Sequence, residues 1–195
     1  MDRPLMEQNS AGAWKMVAAS YLIPGIVLMG TYVWGIVTLN DQYPDDDGAM
    51  QLWGRLREPV HSVLLNLYFV CIGLATVGYF PSLAYSLRVA SEISPKTLRT
   101  ICGLALCYYL SEWLWMPMCV AYIGEKSSTL YLLIRLNLLT SGILVVFWAY
   151  FLCSIPASAA PGIGSVLRNL GRAGTCMFAL HCAVLDAIVW PPFFR

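Results

Sequence analysis

The chain has 195 residues, 58% of them hydrophobic and only 12% charged, about half the charged share of an ordinary soluble domain. Too little polar surface remains to cover a core in water, and so apolar a chain is not a disordered one. Twelve Lys and Arg against eleven Asp and Glu leave a net charge of +1, which offers no polyanion-binding surface and argues against a nucleic-acid partner.

Lipid is therefore the expected solvent, and the predicted fold class is all-α: a polytopic transmembrane helix bundle forming a single membrane domain over 1–195. The N-terminal stretch MDRPLMEQNSAGAWK has no apolar run directly after its first basic residue and no Arg-rich, Ser-rich pattern, so no cleavable signal or transit peptide is expected. A bilayer core needs about 20 apolar residues per helix. Five such windows follow, near 16–38, 60–86, 100–123, 129–153 and 173–192. Turn chemistry separates them at 40–48, 93–96 and 155–165, with a tight hairpin at 124–129.

The acidic loop 40–59 contains Asp45, Asp46, Asp47 and Gly48. Calcium loops alternate their ligands and close with a distant Glu, so three consecutive acids read as a solvated turn. Behind them, Met50, Trp53 and Leu56 stand at helical spacing beside Arg55, Arg57 and Glu58, predicting a short helix resting on the outer leaflet. Orientation follows from the basic residues, which are retained on the inner side. Arg3, Lys15, Arg88, Lys96, Arg99, Arg168 and Arg172 share one side, and Arg55, Arg57, Lys126 and Arg195 the other. That distribution predicts an N-terminus inside and a C-terminus outside.

Seven cysteines lie in or beside apolar runs with no C-x-x-C pair. They read as small buried hydrophobes, and neither a disulfide framework nor a metal site is expected. Pro24, Pro81 and Pro117 each remove a helical hydrogen bond, freeing the carbonyls of Ser20, Val77 and Trp113.

Ionisable groups inside the membrane are costly and normally face protein. At about 1.5 Å per residue, Arg135 and Asp186 both lie roughly 9 Å below the outer surface, while Glu112 and His181 lie near mid-bilayer. Equal depths predict a buried Arg135–Asp186 ion pair and an approach of Glu112 to His181. Gly171, Thr175, Ala179, Ala183 and Ala187 recur every four residues, a stripe that lets another helix approach closely. Asp186 is near that stripe, whereas in an α-helix His181 points about 140° away from Asp186. His181 is accordingly expected on a second face, with Tyr108, Glu112 and Trp115. Glu112 and His181 are the candidate catalytic groups, because a desolvated carboxylate and an imidazole suit proton transfer.

Leu170, Gly171 and Arg172 followed by His181, in LGRAGTCMFALHCAVLDAIV (170–189), are similar to a late helix of polytopic acyltransferase-type membrane proteins. The resemblance implies a lipid or acyl substrate. Short loops leave no soluble domain, however, and the stripe and buried charges suit helix docking. The preferred reading is a non-catalytic structural or accessory subunit of a larger membrane complex. The alternative is a small membrane-embedded enzyme or carrier acting on a lipid or acyl substrate through Glu112 and His181. No cofactor is expected beyond bound lipid, and the expected partners are membrane lipids with other transmembrane subunits or a second copy.

Overall fold

The computed structural model describes residues 12–194, and every element among them is helical. Arg3 and Arg195 of the charge count lie outside these residues. Helix α1 spans Gly12–Gln42 and contains a π-helical segment, Ala18–Leu22. Helix α2 covers Ser62–Val89, α3 Pro95–Glu125, α4 Ser128–Cys153 and α5 Ser165–Leu180. A π-helix, His181–Val189, continues α5 toward the C-terminus.

Local chemistry sets these limits. Ser94 accepts a hydrogen bond from the Thr97 amide at 3.2 Å with Pro95 in the first turn, which starts α3; Ser127 does the same for Leu130 at the head of α4. Pro24 has no amide hydrogen to donate, and the wider π turn precedes it. Side chains reach carbonyls beside this break: Trp113 Nε1 donates to Pro24 O at 3.0 Å and the Tyr79 hydroxyl to Tyr21 O at 3.3 Å. Helix α5 begins at Ser165, eight residues before the apolar window. Its polar first turns are anchored by Arg168, which donates to Ala160 O at 2.8 Å, and by Arg172, which donates to Ile155 O.

Four helices are long and apolar enough to cross a membrane: Gly12–Gln42, Pro59–Val89, Ser128–Cys153 and Ser165–Phe193. Helix α3 is as long as these but less apolar, and it is the most enclosed. It buries Ile101, Ala105, Tyr108, Tyr109, Glu112, Met116 and Cys119 among its neighbours, while large apolar side chains such as Ile26, Val33, Val70, Val77, Ile143 and Phe147 point outward from the others.

Two close approaches fix the packing. A Cβ on Gly78 would stand 2.8 Å from the Gly174 Cα, so α2 and α5 meet backbone to backbone. A Cβ on Gly142 would lie 3.2 Å from the Ala183 Cα and the Ala187 Cβ, seating α4 against the π-helix. Apolar side chains gather in two clusters, one around Tyr21, Tyr85, Trp148 and Leu152, the other around Leu39, Leu56, Tyr122, Ile134 and Trp190.

The connection between α1 and α2 differs from the expected surface helix. It forms 3-10 turns over Gly48–Arg57, broken at Gly54, where φ is 46°. Leu52 and Leu56 are buried in the second apolar cluster, and Trp190 Nε1 donates to Leu52 O at 2.9 Å. Adding a Cβ at Gly54 would bring it within 3.0 Å of the Phe194 Cα, so this loop requires glycine to close over the bundle end.

Candidate functional site

Three ionisable groups of the apolar helices, Glu112, His181 and Asp186, turn inward, whereas Arg135 does not. Asp186, in the π-helix, accepts a hydrogen bond from the Tyr68 hydroxyl of α2. Its second carboxyl oxygen lies 3.5 Å from His181 Nε2. The Tyr68 and His181 rings meet edge to face with centroids 5.4 Å apart, and Tyr68 is only 2% exposed. The carboxyl group of Asp186 is thus held from two sides by groups on two elements.

The π-helix is what brings His181 to Asp186. Residues five apart diverge by about 140° on an α-helix, but a π-helix closes i→i+5 hydrogen bonds, so such residues lie nearly one above the other. The Trp190 amide donating to Leu185 O at 2.7 Å is one of these bonds. The expectation of His181 and Asp186 on separate faces is corrected accordingly. His181 Nδ1 is buried without a hydrogen-bond partner.

Glu112, 4% exposed, projects from α3 with the hydroxyls of Ser141 and Tyr32 within hydrogen-bonding reach and Asp186 as its charged neighbour. No ion pair joins it to His181 among the described residues, so the expected direct Glu112–His181 contact does not form; Tyr32 lies in the electrostatic neighbourhood of both Glu112 and Asp186. Tyr108 reaches the same helix end by another route, its hydroxyl 3.2 Å from Cys182 Sγ. Trp115 packs edge to face on Tyr32 and on Trp190.

Arg135 does not meet Asp186. The buried face of α4 follows Ile134, Leu138, Ser141, Val145 and Trp148, and Arg135 lies beyond its edge, exposed, with its guanidinium 5.9 Å from the Tyr131 ring centroid. Depth along an axis is legible from residue counts, but the direction around it depends on which face is buried. Asp186 is partnered by Tyr68 and His181 instead.

The small-residue stripe divides between two neighbours. Gly171 lies under Tyr85, whose Cγ would be 2.8 Å from an added Cβ, Thr175 meets Ser82 hydroxyl to hydroxyl at 2.7 Å, and Ala179 is buried. Ala183 and Ala187, beyond the start of the π turns, face Gly142 of α4 instead. Among the described residues, no three His, Cys, Asp or Glu side chains converge to hold a metal ion. Chemically, the Tyr68, Asp186 and His181 constellation can hold or pass a proton among a phenol, a carboxylate and an imidazole. Two clefts lie elsewhere, at opposite ends of the bundle, one beside Arg55 and Lys126 and the other beside Arg88 and Glu92.

No family model, no curated protein and no solved structure matches this chain.

Tyr68, Tyr32 and Ser141 are the members of the site that charge alone does not pick out. Tyr68 stands six residues into α2, at roughly the 9 Å depth of Asp186. Matching depths among hydroxyls as well as charges would have found it.

Proposed function

We propose that the chain is an integral membrane protein of five spans, α3 being the fifth and central one, with its N-terminus inside and its C-terminus outside. Its role is that of a non-catalytic structural or accessory component that packs against other transmembrane helices. One observation carries this reading: several polar groups of the helices pair with one another. Tyr68 and His181 hold Asp186, Ser82 meets Thr175, and Ser111 donates to Asn137 Oδ1 at 2.9 Å, while the outward faces are apolar. Interhelical hydrogen bonds of this kind fix which helices pack together.

Purification from native membranes in mild detergent tests the proposal. A stable stoichiometric complex is the expected result. A monodisperse single-component species that binds lipid with pH-dependent affinity would replace it with the second reading, a membrane-embedded enzyme or carrier acting on a lipid or acyl substrate through Glu112 and His181. The observation favouring that alternative is His181, buried with Nδ1 unpartnered and Nε2 3.5 Å from Asp186, since an imidazole beside a carboxylate suits proton transfer.

A further inference from the structure

We propose that the cleft at the Lys126 end of the bundle binds the phosphate headgroup of an anionic phospholipid. The inference rests on the membrane reading above and concerns a site separate from the Tyr68, Asp186 and His181 cluster. The cleft encloses about 270 Å³ between the Gly48–Arg57 turns, the end of α3 and Phe194. That volume suits a headgroup better than a whole drug-sized ligand.

Its wall carries Arg55, Arg57 and Lys126 against the single carboxylate of Glu58. Two of these cations have carboxylate partners. Arg57 contacts Asp47 at 2.6 Å and Arg55 contacts Glu58 at 3.6 Å, but all four side chains are substantially exposed, and pairs in water exchange readily for a better anion. Lys126 instead stands 5.4 Å from the Tyr122 ring centroid. It occupies the left-handed region with φ 52° at the end of α3, where glycine is usual, and it lines the cleft.

A second observation points to an acceptor. Gln51 lines the same cleft, and its Nε2 is buried with no hydrogen-bond partner. Phosphate oxygens satisfy an amide donor and two or three cations together. The lipid source follows from position. The cleft opens where α3 ends and where the apolar helices Pro59–Val89 and Ser128–Cys153 begin, the level at which an apolar span gives way to lipid headgroups. Anionic headgroups are drawn to cations at that depth.

Native mass spectrometry of the purified full chain in detergent tests this, with phosphatidylglycerol, phosphatidylcholine and inorganic phosphate titrated separately. Phosphatidylglycerol is expected to remain as a one-to-one adduct and phosphatidylcholine to dissociate. The double substitution Arg55→Gln with Lys126→Gln should weaken that adduct by roughly thirtyfold, for two cations removed. Arg88→Gln, at the opposite end, should leave it unchanged, and an unaltered elution volume establishes that the variants are folded. Equal retention of both lipids, or an adduct indifferent to the double substitution, overturns the proposal. Displacement of the lipid by inorganic phosphate at comparable concentration overturns the lipid source. A chain that stays monodisperse without detergent would instead overturn the membrane reading on which the cleft depends.

Discussion

Tyr68→Phe removes the hydroxyl that donates to Asp186 while keeping the ring that packs on His181 and Trp53. Loss of one interhelical hydrogen bond should destabilise the protein by about 1–2 kcal/mol, measurable as a lowered unfolding midpoint in detergent. Asp186→Asn tests the same contact from the other side, and the double variant should cost less than the two single losses added. Arg135 provides the contrast. With its side chain exposed on α4, Arg135→Gln should change stability by no more than about 1 kcal/mol, whereas a buried Arg135–Asp186 pair would lose about 3–5 kcal/mol on removal of one partner. A large loss on Arg135→Gln would restore the pairing expected from depth. The sequence marked Glu112, His181 and Asp186 as residues in need of partners, because charges inside apolar windows stand out. It did not mark the partners, since Tyr68, Tyr32 and Ser141 are uncharged and ordinary in helices of any kind.

Among the elements, the windows near 60–86 and 129–153 agree closely with Pro59–Val89 and Ser128–Cys153, because both helices are apolar from end to end. The window near 173–192 misses the start of α5, whose polar first turns dock Arg168 and Arg172 on nearby carbonyls. The π-helix is illegible to any analysis at 3.6 residues per turn, and it alone decides that His181 and Asp186 share a face. Close packing offers two tests at this scale. Gly174→Val would drive a side chain into the Gly78 backbone and should cost about 1–3 kcal/mol, seen as reduced folded yield and a lowered unfolding midpoint, while Gly73→Ala, where an added Cβ meets nothing within 4 Å, should be neutral or stabilising. Cys153 and Cys176 have their Sγ atoms 3.8 Å apart, so dioxygen with copper phenanthroline should join α4 to α5, each thiol losing one proton and one electron to the oxidant. Thiol counting by mass tagging would then fall by two, and Cys176→Ser should abolish the change.

For the whole molecule, α3 is where hydropathy and packing diverge. Four helices pass as membrane spans on length and composition. Helix α3 contains Glu112, Tyr108, Tyr109, Ser111 and Pro117, and a helix shielded by its neighbours does not need a lipid-compatible surface on every side. Its polar residues mark it as internal: Ser111 meets α4, Trp113 meets α1 and Tyr108 meets the π-helix. If α3 crosses the bilayer, its two ends face opposite compartments, and the polar cluster is sealed within the hydrocarbon region. The Ser91→Cys and Ser127→Cys single variants, made in a background with Cys107 and Cys176 replaced by Ser, measure this through a membrane-impermeant maleimide applied to intact and to inverted vesicles. Labelling of position 91 and position 127 from opposite faces is the expected result, and labelling of both from the same face would contradict the five-span bundle.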